Sequence, residues 1–160
     1  MAETPLGWQW PQPYLETILV KASDTDRLGH TNNVRYLEWL EGIAWGHFES
    51  LGCPWHINEA LGKAMAITHT EIDYLASSYQ GEKLVLGTWI TDSNLKLSSS
   101  RHFQIFRDSD SKEILRARMD FTCIALATGK PSRMPQEFIS AHELGLSQSN
   151  IRLPMHSNDQ

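Results

Sequence analysis

The sequence predicts an α+β fold in which a five-stranded antiparallel sheet curls around one long central helix, and three observations predict it. Between residues 33 and 51 apolar side chains recur every three or four positions, the period of a helix. Between residues 114 and 126 they alternate, the period of a strand. An early apolar stretch and three later ones are separated by polar turn clusters, and one helix among such strands is an α+β pattern.

Residues 1–13 hold Trp8, Trp10, Pro11 and Pro13, which suits an extended N-terminal arm. Tyr14 to Lys21, with Leu15, Ile18, Leu19 and Val20, reads as the first strand and leads into a loop over Asp24–His30. In the helix that follows, Val34, Leu37, Leu40, Ala44, Phe48 and Leu51 share one stripe, while Arg35, Glu38 and Glu49 point elsewhere. Thr31 or Asn32 can cap its start, and Gly52 followed by Pro54 can stop it. Tyr36, Trp39, Ile43 and Trp45 widen the stripe, so the helix is expected to lie largely enclosed by a sheet.

Met65–Leu75, Lys83–Thr91 and Ser98–Arg107 are three more strands, and Ile114–Leu126 is the last. In that last strand Leu115, Ala117, Met119, Phe121, Cys123 and Ala125 form one face, with Arg116, Arg118, Asp120 and Thr122 on the other. Turn clusters at 92–94 and 108–111 join the last three strands into an antiparallel meander. The folded domain is placed at 14–138. Residues 139–160 form a C-terminal extension expected to be partly disordered, its polar end from Ser147 fraying.

A chain of 160 residues fits one domain. Its net charge of −5 gives no reason to expect a nucleic-acid partner. Cys53 and Cys123 are far apart without metal-type spacing and read as buried free thiols, which fits a reducing cytoplasm. No apolar run approaches the ~18 residues of a membrane span, and the N-terminus lacks signal-peptide character. A cytoplasmic protein without membrane insertion is expected.

Asp24-Thr25-Asp26-Arg27-Leu28-Gly29-His30-Thr31-Asn32-Asn33-Val34-Arg35-Tyr36 delivers two carboxylates and a glycine turn into the start of the long helix. The first N–H groups of a helix have no internal partner and carry its positive dipole end. A carboxylate beside them can attack or deprotonate while they hold an oxyanion. On residue types alone, a turn or capping carboxylate is the commoner reading of Asp26, and a structural one that of Asp24.

This segment, read as Asp24-Thr25-Asp26-x-x-Gly29-His30-x-Asn32-Asn33-x-x-Tyr36-Leu37-x-Trp39-Leu40-Glu41, resembles the hotdog-fold acyl-CoA thioesterases, in particular the 4-hydroxybenzoyl-CoA thioesterase-like branch. Ile72-Asp73-Tyr74-Leu75 leading to Gly81-Glu82-Lys83-Leu84, and Thr128 to Pro135, support the likeness, which spans roughly residues 14–138. The resemblance implies the hotdog fold, no cofactor, an acyl-CoA substrate, and a homodimer or a homotetramer built from dimers. It places the catalytic carboxylate on Asp26 and the oxyanion donor on the backbone N–H of Asn33. Several relatives carry histidine at that position. A histidine-assisted step is therefore not carried over, whereas the main-chain donor is.

The remaining site candidates each have a structural alternative. His30 is a third catalytic candidate, or it shapes the pocket or bonds within the loop. Gly29 permits a backbone angle other residues resist. Asn32 is a substrate contact or a cap, and Tyr36 a substrate contact or core. His69 and Glu71 share a strand face and are candidates to line an acyl pocket across a dimer interface. Arg101, Lys130 and Arg133 are candidates for the phosphates of coenzyme A, and otherwise surface charges. His47, His56, His102 and His142 show no ligand spacing, so no metal is expected.

A thioester needs only a place for charge on oxygen and a nucleophile, which Asp26 supplies directly or through water. Two other functions compete. Hotdog enoyl-CoA hydratases use Asp and His five positions apart, but Gly29 and Thr31 stand five beyond Asp24 and Asp26. A non-catalytic protein that binds acyl-CoA or acyl-carrier protein is the third reading.

Overall fold

The structure, a computed structural model, describes residues 6–150. The chain runs β1 (Tyr14–Leu19), a 3-10 turn (Ala22–Asp24), α1 (Asn33–Ser50), α2 (Trp55–Leu61), β2 (Lys63–Tyr74), β3 (Lys83–Ser93), β4 (Ser98–Arg107), β5 (Glu113–Ala125) and α3 (Gln136–Gln148). The five strands form one sheet in the order β1-β3-β4-β5-β2, and every neighbouring pair is antiparallel. The α+β class and the meander of β3, β4 and β5 are as the patterning predicts.

Alternation along each strand decides what meets the helix. Phe103 and Ile105 of β4, Leu84 and Leu86 of β3, and Leu115 and Met119 of β5 form one core with Tyr36, Leu40, Ile43 and Ala44 of α1. Full burial of each Leu, Ile, Phe or Met among them contributes about 1.5–3 kcal/mol relative to exposure. A second cluster at the far end joins Phe48 of α1 and Ile90 of β3 to Phe138, Ala141 and Leu146 of α3.

The helix is less enclosed than its composition suggests. Its buried residues are Tyr36, Leu40, Ile43, Ala44, His47 and Phe48, whereas Val34, Leu37 and Trp45 remain exposed. One five-stranded sheet covers one side of a cylinder, so the opposite apolar flank stays open within the single chain.

The N-terminal arm covers the part of the outer sheet face over β3 and β4. Trp8 packs edge-on against Phe106 and Trp89, with ring centroids at 4.8 and 5.6 Å, and Trp10 lies over His102 at 4.6 Å. The Trp89 indole N–H donates to the Pro11 carbonyl at 3.0 Å.

Two helices lie where none was expected. In α2 the buried Asn58 amide donates to the Cys53 and Pro54 carbonyls, both at 2.9 Å, and so folds the turn back on itself. Helix α3 straddles the boundary drawn at 138 and packs on the sheet, so residues 139–148 are an ordered part of the fold. The fraying expected of 147–160 falls, from residue 151 on, outside the described residues.

Candidate active site

The Asp24–Asn32 loop is held by its own backbone. The Asp26 N–H donates to the His30 carbonyl at 2.8 Å, the Gly29 N–H to the Asp26 carbonyl at 3.0 Å, and the Asn32 N–H to the Asp24 carbonyl at 2.8 Å. Gly29 closes this turn at φ +81°, a conformation that costs most residues about 1–2 kcal/mol. Bridges Thr25–Thr31 and His30–Tyr79 pin the loop to itself and to the β2–β3 connection.

The two carboxylates divide their tasks. Asp24 accepts from the Lys21 N–H at 2.9 Å and lies 3.4 Å from the Arg35 guanidinium, so it braces the loop. Asp26 is exposed, and its Oδ1 accepts from the Leu28 and His30 N–H groups at 2.8 and 3.2 Å. Its Oδ2 has no partner among the described residues. The loop therefore fixes the carboxylate by one oxygen and leaves the other open.

Helix α1 begins beside this loop. Asn32 is its N-cap, the side chain accepting from the Val34 N–H at 3.1 Å. The Arg35 N–H donates to the Asn32 carbonyl at 2.9 Å. The Asn33 N–H has no acceptor among the described residues, and Asn33 is exposed. A carboxylate oxygen and a helix-terminal N–H, both without a partner among the described residues, thus stand seven residues apart on one braced segment. His30 stacks edge-on against Tyr79 at 5.1 Å, packing that shapes the loop.

Sequence patterning does not reveal what anchors this segment. Ser78 is fully buried in the β2–β3 connection; its hydroxyl lies 2.6 Å from that of Thr31 and 2.5 Å from that of Tyr36. That chain of hydroxyls ties the N-cap region and the first turn of α1 to the sheet. Tyr36, a candidate substrate contact or core residue, is core, 3% exposed with its hydroxyl consumed in this network.

Two further expectations are corrected by position. His69 and Glu71 do share a face and pair at 2.9 Å. However, a bulge between Ile67 and His69 shifts the alternation of β2. They therefore point with their register partners Asp120 and Arg118 to the outer sheet face, away from α1. Arg101 is not a surface cation at a pocket mouth. It is buried beneath α1 and lines a cavity of about 180 Å³ together with Trp45 and Phe48.

Lys130 and Arg133 are exposed, as phosphate contacts require, but they follow Ala125, which pairs with Lys63. The Asp26 loop lies by Tyr79, near the opposite end of the sheet, where Tyr74 pairs with Leu115. Ten strand residues separate those ends, roughly 30 Å. Within one chain these cations do not meet Asp26. A groove lined by Asp24, Arg35, Trp39 and Ile18 of β1 lies beside the loop.

Cys53 and Cys123 are free and buried, and burial pushes the Cys53 thiol up to about 11, far from a reactive thiolate. Among the described residues no three His, Cys, Asp or Glu side chains cluster as metal ligands, and no helix is long and apolar enough to cross a membrane.

The family model for the thioesterase-like superfamily matches residues 20–141. YneP of Bacillus subtilis, provisionally named an acyl-CoA thioesterase, is 25% identical over 125 residues, covering 78% of this chain and 89% of that protein. Among solved structures, Slr0204, a 1,4-dihydroxy-2-naphthoyl-CoA thioesterase from Synechocystis, superposes with a TM-score of 0.72 at 22% identity, over 81% of this chain and 94% of that one. SAV2348 from Staphylococcus aureus, solved in complex with CoA, superposes with a TM-score of 0.80 at 14% identity, over 94% of this chain and 92% of that one. At these identities the superpositions establish the hotdog fold.

Proposed function

Since the chain belongs to the thioesterase-like superfamily, we propose that it hydrolyses an acyl-CoA thioester to the free acid and coenzyme A, with Asp26 and the first turn of α1 as the reacting site. The observation that carries this reading is the division of the Asp26 carboxylate, one oxygen held by two N–H groups and the other free, on the loop that ends at the unused Asn33 N–H.

In the proposed reaction the thioester carbonyl accepts from the Asn33 N–H, which stabilises the oxyanion as the tetrahedral centre forms. Asp26 Oδ2 either attacks the carbonyl carbon, giving a mixed anhydride that water then cleaves, or removes a proton from an attacking water. Both routes expel the thiolate of coenzyme A, which leaves readily. His30 holds the loop through its main chain, and Gly29 and Asn32 position the donor and the carboxylate.

We read the working unit as a homodimer or a tetramer of dimers. Strand β2 is an unpaired edge, and Val34, Leu37, Trp45 and Ile67 form an exposed apolar flank beside it. A two-fold pairing through that edge runs the second copy antiparallel. It would bring Lys130 and Arg133 of one copy toward Asp26 of the other, at the mouth that receives the phosphates of coenzyme A. YneP's name and the CoA complex of SAV2348 support this substrate class.

The test is thiol release from a panel of acyl-CoAs, alongside light scattering during gel filtration. Turnover of at least one ester by a dimer or tetramer is expected. No release from any ester, with acyl-CoA still bound, would replace hydrolysis by a binding role.

A further inference from the structure

The cavity beneath α1 contains a charge that the proposed hydrolysis does not use. Arg101 projects from β4 into it and is 5% exposed. Its Nη1 donates to His47 Nδ1 at 2.6 Å and to the Thr88 hydroxyl at 3.3 Å. Accepting from a guanidinium requires His47 to be neutral at Nδ1, so its Nε2–H is the one facing the Gln148 carbonyl oxygen at 3.3 Å. Burial and the neighbouring guanidinium hold His47 down at about 3, in accord with that tautomer.

Among the described residues, Nε and Nη2 of Arg101 have no acceptor and no carboxylate lies within salt-bridge distance. A buried cation without a counter-ion is costly, and burial draws the Arg101 guanidinium down to about 9, still charged at neutral pH. Two other polar groups face the same space: the Ser99 hydroxyl and the ring of His142, whose Nδ1 is committed to the Phe138 carbonyl at 2.7 Å. Phe48, Met65 and Phe121 supply the apolar wall, and the exposed Glu41 and Trp45 stand at the rim.

We propose that this cavity binds a small carboxylate, with Arg101 as the anion-recognising residue and the apolar wall holding a hydrocarbon body of about six carbons. A guanidinium with an open edge presents a two-pronged donor set matched to a carboxylate. The volume of about 180 Å³ sets the size, since an apolar cavity of about 150 Å³ accommodates benzene. The rim carboxylate of Glu41 is exposed, where water screens its repulsion of an anion deep in the cavity.

The carboxylate has two sources: the distal end of an acyl group bound as its CoA thioester, or a free acid. The first rests on the thioesterase reading and on the two-fold pairing; the second rests on neither. Within one chain Arg101 meets α1 at His47, fourteen residues and about 21 Å from Asn33, so a six-carbon acyl group would reach it only from the other copy's reacting loop. Calorimetric titration of the full chain compares hexanoate with hexanol, and kcat/KM compares adipoyl-CoA with hexanoyl-CoA. Binding of hexanoate at least tenfold tighter than hexanol, lost in Arg101→Met, is expected.

A preference for adipoyl-CoA of at least tenfold, falling to about one in Arg101→Met, identifies the acyl terminus as the source. Hexanoate binding without that preference identifies the free acid. Arg101→Lys, which keeps the charge but not the two-pronged geometry, should retain a reduced discrimination and stands in if the methionine variant does not fold. Equal affinity of wild type for hexanoate and hexanol, together with equal kcat/KM for the two esters, overturns the proposal while leaving hydrolysis intact. If no ester is turned over, hydrolysis fails and the titration alone decides the carboxylate site.

Discussion

Gly29→Ala isolates the contribution of loop geometry to catalysis. Gly29 lies at φ +81°, and a Cβ built there meets no atom within 4 Å, so the substitution introduces backbone strain without a clash. That strain is about 1–2 kcal/mol, which for a chain of this size lowers Tm by roughly 2–8 °C. Gly62, at φ +68° with equally open surroundings, ends α2 away from the loop. Gly62→Ala therefore carries the same strain without touching the Asp26 loop. If the turn positions Asp26, relieving strain at residue 29 shifts the Leu28 and His30 N–H groups that hold its carboxylate, and a displacement near 1 Å can lower turnover about 10²-fold. Thermal melts and steady-state thiol release on both variants separate the effects. Similar Tm losses with a turnover loss confined to Gly29→Ala are expected. Equal turnover in the two variants would refute the idea that this turn sets the catalytic geometry.

Two further outcomes follow from the same geometry. Asn32→Ala removes the cap on the Val34 N–H and should lower stability by about 1 kcal/mol in urea unfolding; an unchanged midpoint would show that water caps the helix equally well. His47 and His142 are held neutral by burial, at about 3 and about 4 against an ordinary 6.5. Below pH 6.5 the unfolded chain takes up protons that the folded chain refuses, so their contribution is full above 6.5. It declines as pH falls toward 4 and 3, by at most about 1.4 kcal/mol per pH unit for each ring. His142→Gln should flatten that decline in urea midpoints measured from pH 7 to 4, and an identical slope in both proteins would contradict it.

Much of the architecture is legible because periodicity reports directly on which face is buried. The alternation of β5 names the residues observed inside: Leu115, Met119 and Cys123 are all 0% exposed. The loop before α1 is legible through its glycine and paired acids. What escapes is tertiary. The bulge in β2 moves His69 and Glu71 to the outer face, and nothing local announces it. Helix α3 is hidden because its buried face includes Ala141, His142 and Gly145, residues with weak apolar signal. Arg101 reads as a surface charge, since only the packed fold shows that β4 directs it under α1. Trp8 and Trp10 read as an arm, without indication that they cover β3 and β4 on the outer sheet face.

The most direct measurement is turnover by Asp26→Asn. Asparagine keeps a side-chain carbonyl oxygen to accept from the Leu28 and His30 N–H groups, so the loop is preserved and only the reactive charge is removed. With Tm within a degree or two of wild type, kcat for thiol release should fall by about 10²–10⁴. Unchanged kcat in a folded variant would remove Asp26 from the mechanism and with it the reading of this loop as the active site.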